Sequence, residues 1–246
     1  MIIASAQMRP KDEDIDQNLQ EHYRLIKLAA DNKASLIVFP EMSITGYVRD
    51  SALELSFTEN DFRLYRLREL AACYNMVIVA GAPMKLITGF HIGSFIIFPD
   101  GLISIYTKQF LHEGEDQFFV SNFEHNPNIK FFDEEVSFAI CADINNPLHA
   151  KNANKAGATI YVPSIFYSNN GMHEAYKLLK NYAKEHSMNV LMSNYCGMSW
   201  GLEAGGKSAF WNSNGELLAG LDEESTGLVI GIKEKGLWRG MSIKAN

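Results

Sequence analysis

The sequence predicts a mixed α/β protein built from two packed sheets with helices on the outside. Three observations lead there. Apolar, strand-like runs alternate with amphipathic helical segments from residue 2 to 83 and again from 136 to 196. Two further segments, 93–108 and 207–220, carry hairpin signals in place of helices. The strands are also too many for one compact open sheet, so two sheets packed face to face fit the pattern better. No Pro/Ser/Gly linker, low-complexity block or solenoid-length repeat interrupts the 246 residues, which predicts one domain over 1–246.

The elements follow in order. IIASAQM (2–8) reads as a strand. Residues 14–31 place Ile15, Leu19, Tyr23, Ile26 and Ala30 at helical spacing. SLIVFPE (35–41) is a continuous apolar run of the kind covered on both faces. Residues 60–74 read as a second helix with Phe62, Tyr65, Leu70 and Ala71 as core positions, and MVIVAGAP (76–83) as another buried strand. In GSFIIFPDGLISIYTK (93–108) two strands flank Pro99-Asp100-Gly101, where Asp-Gly supplies the positive φ of a tight turn. VSFAIC (136–141) is a strand, 146–157 a short helix ended by glycine, and TIYVPS (159–164) a strand. Residues 172–187 form a helix and 188–196 a strand. The hairpin signal returns at Asn214-Gly215 within 207–220, and GLVIGI (227–232) closes the sheet.

Composition narrows the function classes. Hydrophobic residues at 47% and charged residues at 21% are ordinary for a globular chain. A chain of this length buries about 70–75% of its unfolded surface and needs no covalent staples. A net charge of −7 argues against a phosphate-neutralising face, so no nucleic-acid partner is expected. The opening MIIASAQMRP lacks a basic leader, and no run approaches the roughly 18 apolar residues of a membrane helix. The expectation is a cytoplasmic protein with no membrane partner. Cys73, Cys141 and Cys196 are too few and too scattered for a disulfide framework. No Cys/His cluster has metal-ligand spacing, so no metal is expected.

Ligands of open α/β sheets bind beyond the carboxyl ends of strands. Three reactive side chains stand there by pattern: Glu41 after SLIVFP, Lys108 after LISIYT and Cys141 after VSFAI. A carboxylate, an amine and a thiol together suit acyl transfer. The carboxylate can take the thiol proton as general base, and the ammonium can favour the thiolate and stabilise the oxyanion. The backbone N–H of Ala142, just past the thiol, is a natural second donor. Each residue alone also has a plainer reading: a solvated strand-end charge for Glu41 or Lys108, a core cysteine for Cys141. A Cys–His hydrolase is the weaker alternative, because nothing in the sequence places His91, His112 or His149 beside Cys141. Cys73 reads as packed on its helix, and Cys196 as core or pocket wall. Tyr47, Phe166, Tyr167 and Trp200 sit in loops able to line a pocket, with surface packing as the alternative. Tyr47 is favoured, and Phe166 and Ala142 complete the expected substrate contacts.

Three segments, FPEMSITGY, YTKQFLHEGEDQFF and FAICADINNP, resemble the signature blocks of the nitrilase, or carbon–nitrogen hydrolase, superfamily in order and approximate separation. NYAKEHSMNVLMSN is similar to that family's late helix, strand and asparagine. NYCGMSWGLEAGGKSAFWNSNGELLAG is similar to its following Asn-Gly segment, Gly-Gly-x-Ser strand and hairpin. The resemblance spans nearly the whole chain. It implies a four-layer α-β-β-α sandwich, with Glu41 as general base, Lys108 as the oxyanion-stabilising amine and Cys141 as nucleophile. The family's second glutamate best matches Glu115, with Glu113 competing. No cofactor is implied, and a homodimer or larger assembly paired through helices flanking the nucleophile is. The implied reaction is hydrolysis of a non-peptide carbon–nitrogen bond in a small linear amide or N-carbamoyl compound through a cysteine thioester. A nitrilase acting on a nitrile, or a non-catalytic scaffold on the same fold, are the alternatives.

The chain also departs from the family pattern. Ala142 stands where many amidase-type members have tyrosine, and Asn145-Asn146-Pro147-Leu148 replaces an Arg-Phe-Pro-Glu run. Loss of that arginine puts in doubt any substrate whose carboxylate it would hold. Phe110 replaces a frequent histidine and makes the rim more apolar.

Overall fold

The computed structural model describes residues 1–245. The first half of the chain forms β1 (Ile2–Gln7), α1 (Ile15–Asp31), β2 (Leu36–Val38) and α2 (Ala52–Leu55). A 3₁₀ turn over Phe62–Leu64 then leads into α3 (Tyr65–Tyr74), β3 (Val77–Leu86), β4 (Gly89–Ile97) and β5 (Ile103–Thr107). The second half forms β6 (Ile129–Phe131), β7 (Glu134–Ile140), α4 (Pro147–Lys155), β8 (Ile160–Ser164), α5 (Asn169–His186) and β9 (Asn189–Met192). It ends with β10 (Cys196–Ser199), β11 (Leu202–Gly205), β12 (Ala209–Trp211), β13 (Leu217–Gly220), β14 (Gly227–Glu234) and β15 (Leu237–Lys244).

Two large mixed sheets result. One runs in the order β15-β14-β1-β2-β3-β4-β5, the other β13-β12-β9-β8-β7-β6, and β10 and β11 pair separately. Each large sheet has a parallel centre, β1-β2-β3 in one and β7-β8-β9 in the other, and antiparallel strands at its edges. Parallel neighbours need crossovers, which α1 and α3 supply for the first sheet and α4 and α5 for the second. The helices therefore cover the outer faces, and the inner faces meet.

Side-chain alternation shows the layering directly. Along β7 and β8, Phe138, Ile140, Ile160 and Val162 join the core shared with the first sheet. The intervening Ala139 and Tyr161 join a second core with Ala150, Ala153, Leu179 and Tyr182 of the helices. Where β14 faces β12 the sheets come very close. A Cβ on Gly231 would lie 2.9 Å from the Phe210 ring, itself packed on Trp238 at 5.2 Å between centroids. The protein is the expected four-layer α-β-β-α sandwich.

Some elements differ from the sequence expectation, each for a local reason. The buried stripe of α1 is Asn18, Leu19, His22, Leu25, Ile26 and Ala29, so Ile15, Tyr23 and Ala30 only flank it. Phe62 and Tyr65 are exposed at 84% and 65%; the 3₁₀ turn shifts the phase, and Leu64, Leu67, Leu70 and Ala71 face inward. The run 35–41 leaves the sheet after Val38. The run 188–196 is two strands, because the chain changes partners between them: Ser193 still bridges Ser164, Tyr195 bridges Met8, and Asn194 pairs in neither ladder. There Asn194 Nδ2 donates to the carbonyls of Gly206 (2.9 Å) and Tyr167 (3.2 Å), and its Oδ1 accepts from Tyr167 N (3.0 Å). β14 does not close its sheet, since β15 pairs along its outer side. No helix among the described residues is long and apolar enough to cross a membrane.

Candidate active site

β2, β3 and β5 run the same way in the first sheet, since β4 is antiparallel to both of its neighbours. Glu41 and Lys108 therefore leave that sheet at one edge. Glu41 lies in the turn after β2, where β3 must come close: a Cβ on Gly81 would sit 2.6 Å from Met42 N. Tyr195 Oη, from the segment between β9 and β10, donates to the Glu41 carbonyl at 2.6 Å and holds the turn. Lys108 is the residue after β5. Cys141 is the residue after β7 and begins a 3₁₀ turn over Cys141–Asn145. Its φ is 44°, a left-handed conformation that is uncommon for a side chain of this kind and recurs at functional turns.

Asp143 ties the two strand ends together. Its Oδ1 accepts from the amides of Gln109 (3.0 Å) and Phe110 (2.8 Å), the residues that follow Lys108. Its Oδ2 accepts from Ile140 N (2.8 Å), just before Cys141, and from Tyr106 Oη (2.5 Å). Tyr106 Oη also bonds His149 Nε2 (2.8 Å), whose Nδ1 bonds Tyr161 Oη (2.9 Å). Burial pushes the His149 imidazole below its usual pKa.

The side chains from these loops converge. Lys108 Nζ donates to Glu41 Oε1 at 2.7 Å and to Glu115 Oε1 at 2.8 Å, and all three side chains are buried. Glu115 Oε2 accepts from His112 N (2.7 Å), and Tyr47 Oη donates to Glu115 Oε1 (2.6 Å). Glu113, the competing glutamate, is exposed and offers only its carbonyl oxygen to Arg49. Cys141 Sγ lies 3.5 Å from the Phe166 carbonyl oxygen and interacts with Glu41. Among the described residues, buried Glu41 Oε2 has no hydrogen-bond partner of good geometry.

Burial and charge set the protonation states. Burial pushes the Glu41 carboxyl up to about 7 against the pull of the Lys108 ammonium, and the Glu115 charge adds to the rise. Burial also works to raise Glu115, but Lys108, Tyr47 and the His112 amide outweigh it and hold that carboxyl below its ordinary range. Desolvation pulls Lys108 down, and the surrounding negative charge more than reverses this, so it is a firm cation. The Cys141 thiol is pushed well up, first by burial and then by Glu41. The resting site thus holds a protonated thiol beside a carboxyl that titrates near neutrality.

Cys141 opens onto a cavity of about 240 Å³, walled by Tyr47, Arg49, Phe166, Tyr167, Trp200 and their neighbours. Of the expected substrate contacts, Tyr47 and Phe166 line it, whereas the Ala142 side chain does not. Any contact from Ala142 would come from its backbone. Tyr167 and Trp200 are wall as well, and His112 reaches the rim, while Cys196 is buried core away from the cavity. Sequence reasoning missed Arg49, Asn145 and Asp143. The signal for Arg49 was its place two residues beyond Tyr47 in a loop at a strand's carboxyl end. Among the described residues no group of His, Cys, Asp or Glu is arranged to hold a metal ion.

Comparison with known proteins places the chain in a family. The carbon–nitrogen hydrolase family profile matches residues 2–233. The hydrolase in the pqqF 5′ region of Pseudomonas protegens is 28% identical over 250 residues, covering 96% of this chain and 84% of its own. A nitrilase of Pyrococcus abyssi is 27% identical over 236 residues, covering 92% and 87%. Among solved structures, a variant of the amidase from Nesterenkonia sp. AN1 in complex with butyramide superposes with a TM-score of 0.86 at 24% identity, over 94% of this chain and 89% of its own. Another variant of that amidase carries the acetamide moiety of fluoroacetamide covalently on its active-site cysteine. With the profile reaching from the first strand into β14, the chain belongs to the carbon–nitrogen hydrolase family.

Proposed function

We propose that this chain hydrolyses a small linear amide or N-carbamoyl compound, with Cys141 as nucleophile, Glu41 as general base, Lys108 as oxyanion partner and Glu115 as the residue that holds Lys108. The observation that carries this reading is the buried cluster behind the cavity, in which an unpartnered Glu41 oxygen stands with a thiol and a fixed ammonium.

Each step follows from the charges present. The thiol stays protonated until substrate arrives, because burial and the nearby carboxylate both disfavour a thiolate. As Cys141 Sγ forms its bond to the carbonyl carbon, Glu41 takes the thiol proton. A base that titrates near 7 suits proton transfer at neutral pH. The carbonyl oxygen becomes an oxyanion, stabilised by the Lys108 ammonium and the Ala142 N–H. Glu41 returns the proton to the leaving nitrogen, the carbon–nitrogen bond breaks, and ammonia or an amine departs. Water then attacks the thioester while Glu41 accepts one of its protons. Collapse yields the acid and restores the thiol. Glu115 stays ionised throughout and keeps Lys108 aimed, and Tyr47 presents its ring to substrate while its hydroxyl fixes Glu115.

The butyramide complex and covalent acetamide group of the Nesterenkonia amidase support an amide, and the name of the Pyrococcus relative supports the nitrile alternative. An ammonia-release screen over amides, carbamoyl compounds and nitriles separates them, with the acyl-thioester sought by intact-mass spectrometry. Cys141→Ala is expected to lose turnover and adduct with an unchanged fold by circular dichroism. Turnover that survives in Cys141→Ala, or a wild-type protein inert to the whole panel, overturns the proposal. Three scattered free cysteines suit a reducing cytoplasm, and Leu148, exposed on α4 after the nucleophile, suits pairing of two copies there.

A further inference from the structure

The arginine that the family pattern carries after the nucleophile is absent, but another guanidinium reaches the cavity from the opposite loop. Arg49 is only 9% exposed and lines the same cavity as Cys141. Its Nε and Nη2 donate to Tyr47 Oη at 3.0 and 2.8 Å, and its Nη1 to the Glu113 carbonyl at 3.3 Å. All three bonds end on neutral oxygens. A guanidinium has five N–H donors, so one N–H on each terminal nitrogen is left over. Trp200 stacks on the group with its centroid 4.2 Å from Cζ, and the Tyr47 ring lies at 5.3 Å, which fixes the plane of the fork. No aspartate or glutamate is among the residues that wall the cavity. Glu115 is the nearest connected carboxylate, reached only through the Tyr47 hydroxyl and already held by Lys108.

A charge nine-tenths buried calls for a partner of opposite sign. Holding Tyr47 in place accounts for one side of the guanidinium and needs no charge. The leftover donors on the terminal nitrogens match the two oxygens of a carboxylate. We propose that Arg49 is the specificity residue of this site and binds a substrate carboxylate, so that the substrate is a small amide or carbamoyl compound bearing an acid group. This rests on the amide hydrolysis proposed above and names its substrate class. It differs from the neutral butyramide bound by the Nesterenkonia amidase. A cavity of about 240 Å³ suits a short linear acid.

The test compares acids with neutral partners of the same shape: succinamate against succinamide, and N-carbamoyl-β-alanine against its amide. The first pair carries the acid on the acyl side, the second on the leaving side. The wild-type protein is expected to favour at least one acid by about 10–100-fold in kcat/KM, the scale of a charge-assisted pair, mainly through KM. Arg49→Gln is expected to bring that ratio near one, and Arg49→Lys to keep part of it. Calorimetric binding of the same four compounds to Cys141→Ala gives the preference without relying on activity of the Arg49 variants. Neutral amides turned over or bound as well as their acids, or a ratio unchanged in Arg49→Gln, overturns the carboxylate assignment and leaves amide hydrolysis standing. Failure of the wild type to turn over any of the four, together with other amides, counts against the hydrolysis itself.

Discussion

Replacing Asp143 with asparagine should loosen the clamp between the Lys108 and Cys141 loops at a cost that can be worked from its bonds. The carboxylate accepts four hydrogen bonds, two per oxygen, from Gln109 N, Phe110 N, Ile140 N and Tyr106 Oη. An amide keeps one oxygen. With that oxygen toward Gln109 and Phe110, the new NH₂ faces the Ile140 N–H, donor against donor. A buried N–H without an acceptor costs about 1–3 kcal/mol. Tyr106 can turn its hydroxyl toward His149, so its loss is small. The two retained bonds fall from charge-assisted to neutral strength, about 1 kcal/mol each. The total is about 3–5 kcal/mol, or roughly 6–20 °C in Tm for a chain of this size. Urea unfolding with an unchanged slope would measure it. The same variant should lose roughly 100-fold in kcat, since about 1 Å of misplacement between reacting groups costs that much. An Asp143→Asn protein within about 1 kcal/mol of wild type and with unaltered kcat would refute the clamp.

Two other outcomes follow from the structure. Because Glu41 is raised to about 7, and a carboxyl in the proposed role of general base must be ionised to take the thiol proton, kcat/KM should climb with pH, about tenfold per unit below 7, and level off above it. A pH–rate profile flat between 5 and 8 would remove Glu41 from that role. Gly231→Ala would place a Cβ 2.9 Å from the Phe210 ring, which Trp238 backs, and should destabilise the protein by about 1–3 kcal/mol in urea unfolding; a neutral result would mean that the sheets can part there.

What the sequence made legible was whatever terminates an apolar run. Glu41, Lys108 and Cys141 each end one, and the structure brings the first two into direct contact. Periodicity also located both parallel centres, and the Asp-Gly and Asn-Gly turn signals located two of the hairpins, β4–β5 and β12–β13. Contacts made by loops across the fold were not legible. Arg49 meets Trp200, 151 positions away, only because β10 and β11 fold back over the cavity. Asp143 joins Gln109 and Phe110 across the boundary between the sheets, which no local pattern records. Asn194 replaces a ladder with side-chain bonds, so an unbroken apolar run reads as one strand where the chain makes two. Phe62 and Tyr65 misled because a single 3₁₀ turn rotates the helix face that the spacing assumes.

The dimensions of the cavity also bear on what the thiol leaves alone. Every polypeptide in a cell is a chain of amides, and a cysteine that cleaves amides is a hazard among them. Here the sulfur sits behind a wall of aromatic rings and one stacked guanidinium, in a space of about 240 Å³. A molecule of a few heavy atoms fits that space. Under the proposed amide hydrolysis, a space of these dimensions selects small molecules over the amides of folded polypeptides.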